Sequence, residues 1–107
     1  MHPQLRHLRR LPLSVYYVYC VTNKANNVMY VGVTNDIKRR MMEHRAELVE
    51  GFTKRYHVHK LVYYETFHDV SAAIAREKQL KSWTRDKKNR LVEAVNENWR
   101  DLTEDLF

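Results

Sequence analysis

Residues 15–33 hold two β-rich apolar segments joined by a polar link too short for a crossover, and this constrains the start of the fold. Val15–Thr22 is dense in Val and Tyr, side chains that suit a pleated surface. Lys24-Ala25-Asn26-Asn27 has the polar, Asn-rich chemistry of a turn, and Val28–Val33 is apolar again. Strands with so short a connection pair antiparallel. At a period of two, Val15, Tyr17, Tyr19 and Val21 share one face, while Tyr16, Val18 and Cys20 take the other. Both faces are apolar, so this strand is expected in the middle of a sheet covered on two sides.

Thr34-Asn35-Asp36 offers several helix N-caps, and the spacing predicts a helix over 36–48 with Ile37, Met41, His44 and Leu48 on one stripe. Arg40 lies four residues before His44, on the edge of that stripe. Gly51 closes the unit, and a loop or short helical turn is expected after it. Leu61–Thr66 reads as a third strand. Asp69 or Ser71 caps a second long helix over about 71–83, with Ala73, Glu77, Leu80 and Trp83 or Thr84 along one stripe; a further helix is expected near 86–95. The order β-β-α-β-α-α predicts an α+β fold, a small sheet with helices packed against it. A chain of 107 residues supports one domain, expected over 14–103, between a basic disordered tail at 1–13 and an acidic end at 104–107.

The net charge of +6 points to a polyanionic partner, and its placement is more informative than its size. Residues 36–60 carry seven Lys/Arg against four acids, residues 76–90 seven against two, and residues 91–107 one against five. Arg9-Arg10 before Leu11–Val21 imitates a secretory signal, but Pro12, Ser14 and three tyrosines interrupt it and no small-residue cleavage site follows. Eleven residues do not span a bilayer as a helix. One cysteine, Cys20, excludes an internal disulfide, and no CxxC or Cys/His pair announces structural zinc. These features predict an intracellular, cytoplasmic protein with no membrane partner.

Glu77 falls on an apolar stripe, which is costly for a carboxylate unless it is paired, hydrogen-bonded or bound to metal. Two readings stay open: an ion pair with Lys81 one turn on or with a neighbouring arginine, or a ligand for a hard divalent cation. No other acid lies between Asp69 and Asp86, which argues against a two-metal clamp and leaves a single ion. Arg40 supplies a permanently charged fork suited to phosphate oxygens. His44 offers phosphate contact or proton transfer, and the phenol of Tyr19 or Tyr30 is suited to orienting a water. Gly32 is expected either to let a phosphate approach the backbone or to serve as a simple turn glycine. Lys38, Arg39, Lys54, Arg55 and Lys81 are the cations expected on a nucleic-acid backbone.

Tyr17-Val18-Tyr19, a Tyr-to-Tyr spacing of eleven, Tyr30-Val31-Gly32, and then Arg40 and His44 in DIKRRMMEH form an ordered set. Together with Arg76-Glu77-Lys78, and Asn96 ahead of Trp99-Arg100-Asp101-Leu102, this set resembles the GIY-YIG nuclease domain, over about residues 15–103. The similarity is greatest to small stand-alone bacterial members. It implies a central three-stranded antiparallel sheet flanked by helices, and hydrolysis of DNA phosphodiesters through one divalent ion, Mg²⁺ or Mn²⁺. By it, Tyr19 and Tyr30 match the motif tyrosines, Arg40 the catalytic arginine, His44 the helix histidine, Glu77 the metal-binding glutamate and Asn96 the C-terminal asparagine. Two departures stand out: Tyr17 replaces the first glycine, and Val31 replaces isoleucine. The resulting expectation is a metal-dependent DNA endonuclease directed by structure more than by sequence, serving repair or recombination, with RNA also open as a substrate. The alternative is a nucleic-acid-binding module of the same fold with little turnover.

Overall fold

Strands β1 (Tyr16–Thr22) and β2 (Met29–Thr34) pair antiparallel in the computed structural model, which describes residues 14–49 and 51–107. The basic tail expected at 1–13 lies outside the described residues. The Asn-rich link turns as its chemistry requires: Asn23 Oδ1 accepts from the amides of Asn27 (3.0 Å) and Val28 (3.3 Å). Asn26 adopts a left-handed φ of 59°, which asparagine tolerates better than most residues. Strand β3 (Lys60–Phe67) pairs antiparallel with the other edge of β1, giving the order β2-β1-β3. β1 is therefore central, and five of its seven residues are buried.

The two faces of β1 feed two separate apolar clusters. Val18 and Cys20 pack with Val31, Val62 and Tyr63 beneath helices α2 (Val70–Ser82) and α3 (Arg85–Val95), which contribute Ala73, Leu80 and Val92. Tyr19 and Val21 pack with Val58 and Leu61 beneath helix α1 (Ile37–Arg45), which contributes Ile37 and Met41. β3 serves both clusters through a bulge: Cys20 faces Tyr63 but Val21 faces Leu61, so Val62 is the inserted residue. Val62 and Tyr63 consequently turn to one side, against the strict alternation of a regular strand.

The three long helices begin at side-chain caps. Asp36, Asp69 and Thr84 accept hydrogen bonds from the amides of Arg39, Ser71 and Lys87 respectively. α1 stops at Arg45, three residues before the expected end. The Leu48 amide donates to Glu43 O (2.9 Å) and the Glu47 amide to His44 O (3.1 Å), with Glu47 left-handed at φ 57°. Leu48 is thereby turned out to solvent at 69% exposure, off the buried stripe where its spacing placed it. A single helical turn, Phe52–Arg55, follows Gly51. At the C-terminus a short 3-10 helix, Leu102–Leu106, lays Leu102 and Leu106 on the Tyr19 cluster, so the core continues past residue 103 into the acidic end. Among the described residues no helix is long and apolar enough to cross a membrane.

Candidate active site

The site lies where β1, β2, α1 and α2 meet. Tyr19 is 1% exposed, and its hydroxyl lies 3.0 Å from His44 Nε2, itself buried on α1. The Tyr30 ring closes a triangle with these two: its centroid is 6.3 Å from that of Tyr19 and 5.8 Å from that of His44. Gly32 sits directly across from Tyr19 in the β1–β2 pairing. A Cβ built there would lie 2.5 Å from both the Tyr19 hydroxyl and its ring carbon Cζ. The space that a side chain would take at position 32 is filled by the Tyr19 ring.

Arg40 projects from α1 one turn before His44. Its Nε lies 3.5 Å from Glu43 Oε1, but the alignment is too poor for a hydrogen bond, and this buried N–H has no acceptor. Sequence reasoning misses Glu43, although its i+3 spacing from Arg40 is the signal that finds it. On α2, Glu77 is largely covered, its side chain 16% exposed, and its Oε2 pairs with Lys81 Nζ at 2.8 Å. The ion-pair reading of Glu77 therefore describes this structure. Lys81 Nζ also stands 5.8 Å from the centre of the Tyr30 ring, which ties Glu77 to the tyrosine pair.

Burial sets the protonation of the central pair. It raises the Tyr19 phenol above its ordinary range, with Tyr30 adding to this effect and Arg40 opposing it; Glu43 and Glu77 push upward as well. Charges on α1 and α2 are thus both within electrostatic reach of one phenol. Burial, then the Arg40 charge, lowers His44 to about 4, so its imidazole is neutral at pH 7. The other ring nitrogen, Nδ1, is buried without a hydrogen-bond partner. Nε2 shares a single hydrogen bond with the Tyr19 hydroxyl, and the imidazole tautomer decides which of the two donates.

The remaining sequence candidates are placed differently. Asn96 is buried at 7% exposure, and its amide is consumed internally: Nδ2 donates to Val62 O and Arg100 O, and Oδ1 accepts from the Arg100 amide. It clamps the chain after α3, and its assignment to nucleic-acid contact is corrected accordingly. Lys38 lies over the Phe107 ring, and Arg39 reaches Asn35 and Glu43 on the exposed side of α1. Arg55 stacks over Tyr56 at the helical turn after Gly51, which also carries Lys54. Tyr17, in place of the motif glycine, packs edge-on against Tyr64 at 6.1 Å, on β3.

Glu77 fits a hard divalent ion by donor chemistry: one largely covered carboxylate whose protein partner is a flexible ammonium. Among the described residues it joins no cluster of three or more candidate ligands, which suits an ion that keeps its waters and takes oxygens from substrate.

The GIY-YIG catalytic domain profile matches residues 15–90, spanning all three strands and α1 through most of α3. The chain belongs to the GIY-YIG family. A UPF0213 protein of Haloquadratum walsbyi is 40% identical over 78 residues, covering 73% of this chain and 86% of that one. A UPF0213 protein of Bacillus pumilus is 33% identical over 80 residues, covering 75% and 81%. The solution NMR structure of a UPF0213 protein from Bacillus halodurans superposes with a TM-score of 0.53 at 27% identity, covering 84% of this chain and 95% of that one. This GIY-YIG domain is thus of a nuclease-type family whose partner class is nucleic acid, and the relatives it matches include small bacterial and archaeal proteins.

Proposed function

We propose that the protein is a divalent-metal-dependent endonuclease that hydrolyses DNA phosphodiester bonds, directed by DNA structure more than by sequence, in repair or recombination. One observation carries this reading. A buried phenol hydrogen-bonded to a neutral imidazole lies within the field of both the Arg40 guanidinium on α1 and the Glu77 carboxylate on α2.

Glu77 would hold a single Mg²⁺ or Mn²⁺, which when bound supplies positive charge to the scissile phosphate and the leaving 3′ oxygen. The work of the chain's own groups follows from their placement. Held by its hydrogen bond with His44 Nε2, the Tyr19 hydroxyl orients a water for attack on phosphorus, with Tyr30 beside it. Neither Tyr19 nor His44 is charged at pH 7, so the pair orients without adding repulsion near the phosphate. Arg40, whose Nε has no acceptor inside the protein, is free to donate to oxygens on which charge builds during attack. Lys81 competes with the ion for Glu77 and, once displaced, is positioned to meet phosphate. Lys38, Arg39, Lys54 and Arg55 add non-specific grip on the backbone.

The test is cleavage of branched, flapped, single- and double-stranded DNA by purified protein with Mg²⁺ and Mn²⁺, compared with Arg40→Ala and Glu77→Ala. Metal-dependent cutting that disappears in both variants is expected; full activity in either rejects the mechanism. A second reading, binding with little turnover, draws support from the Lys81 ammonium on the metal-ligand candidate. Salt-sensitive binding with no cutting on any substrate would select it.

A further inference from the structure

On the opposite side of α1's C-terminal end, two helical segments finish in the same unusual way. The hydrogen bonds that end α1 leave Glu47 left-handed at φ 57°. The turn Phe52–Arg55 ends alike: the Val58 amide donates to Thr53 O (2.9 Å) and the His57 amide to Lys54 O (3.4 Å), with His57 left-handed at φ 54°. Glycine is the usual occupant of such positions because a side chain there is strained. Here both hold residues with metal-donor side chains, and the two side chains meet. Glu47 Oε2 is hydrogen-bonded to His57 Nδ1 and lies 3.1 Å from His59 Nε2. Val58 between the histidines is fully buried, which turns its neighbours outward together.

We propose that Glu47, His57 and His59 form a binding site for a zinc-class divalent ion (Zn²⁺, Co²⁺ or Ni²⁺), separate from the Glu77 site. One donor atom from each lies within 4.8 Å of the others. A tetrahedral ion with bonds of about 2.0–2.1 Å needs donors roughly 3.3 Å apart, a small adjustment from this arrangement. Two imidazoles and one carboxylate are the donor set of open zinc sites and suit borderline ions better than Mg²⁺. The histidines line a cleft of about 660 Å³ that also holds Lys24, Lys60 and the Arg45–Asp101 ion pair, so the fourth position is open to water or to an anion. An ion here ties the end of α1 to the start of β3 and fixes the intervening turn that carries Lys54 and Arg55. Without an ion, the same atoms form a hydrogen-bonded histidine–glutamate–histidine set, which is the competing reading.

The experiment titrates chelator-treated full-length protein with Co²⁺, followed by visible absorption, and then with Zn²⁺ by calorimetry. The expected result is one ion per chain with the intense visible bands of a four-coordinate site. His59→Gln and the pair His57→Asn/His59→Gln should weaken binding by about a hundredfold, while Glu77→Ala leaves it unchanged. Asparagine keeps the left-handed backbone at 57, and circular dichroism checks the fold. If the double variant does not fold, the single His59→Gln decides, through loss of the Zn²⁺-dependent rise in melting temperature seen in the parent protein. No saturable binding, binding of equal strength in the histidine variants, or loss of binding in Glu77→Ala would each overturn the proposal.

Discussion

The two faces of β1 are equally buried yet chemically opposite. On one, Val18 and Cys20 lie under α2 and α3 in a cluster of apolar side chains, where burial pushes the Cys20 thiol up to about 12 and keeps it inert. On the other, Tyr19 ends in a phenol–imidazole contact, and two buried nitrogens, Arg40 Nε and His44 Nδ1, have no hydrogen-bond partner. Buried polar atoms are almost always satisfied; two other unpaired ones among the described residues, Asn26 Oδ1 and Thr103 Oγ1, lie in the β1–β2 turn and the C-terminal 3-10 helix. The first face is wholly apolar, and the second carries the groups of the proposed active site.

That contrast breaks most sharply by exchanging the damage. Arg40→Ala should reduce cleavage by about 10²–10³-fold, the scale for losing a donor to transition-state charge, with little change in melting temperature. Leu80→Ala, a fully buried side chain on the Val18 face, should cost about 2–5 kcal/mol while leaving cleavage per folded molecule unchanged. Activity lost through Leu80 and retained without Arg40 would reverse the assignment of the faces.

The next effect is on pH dependence. His44 has a pKa of about 4 in the folded protein against 6.5 in the unfolded chain, so the unfolded state takes up protons first as pH falls. Its contribution to stability is therefore complete above pH 6.5 and is lost progressively down to about pH 4. The difference is on the order of 3 kcal/mol. Urea titrations at pH 4, 5, 6 and 7 should show a steeper decline for the parent protein than for His44→Gln. Parallel curves would mean that His44 is solvated and the face is not sealed.

Gly32→Ala comes third. Its methyl group would overlap the Tyr19 ring, and overpacking of this kind costs about 1–3 kcal/mol. Denaturant melts measure that cost, and cleavage should fall too because the phenol must move. Lys81→Gln is the smallest in stability, under about 1 kcal/mol for a half-exposed pair. It should still lower the Mg²⁺ or Mn²⁺ concentration for half-maximal cleavage, and reduce the salt slope of DNA binding by about one ion. No change in metal requirement and none in DNA affinity would make Lys81 purely structural.

Much of this arrangement was legible in the residues. Two apolar faces placed β1 in the centre, the polar link predicted the hairpin, and capping residues gave the starts of the first two long helices, while Thr84, the cap of the third, read as part of the preceding stripe. Tyr19, Tyr30, Arg40, His44 and Glu77 were selected by residue type and spacing, and the fold gathers them. What escaped has physical reasons. The bulge at Val62 depends on pairing across β1 and has no local signature. The end of α1 was hidden because Glu47 occupies a position where glycine would have announced a stop. Gly32 read as a ligand contact or a turn, and Asn96 as a ligand contact, because a sequence does not show what already fills the space beside them. The grouping of Glu47 with His57 and His59 spans the loop between two elements, so no motif spacing contains it.

The glycine opposite Tyr19 has one more implication, for how the hairpin finds its alignment. Every other residue of β2 carries a side chain, so sliding the strand against its neighbour would drive a carbon into the aromatic ring. Only one pairing admits the phenol. A shifted register would set a side chain against that ring, so the folded state favours the one alignment that places the glycine there.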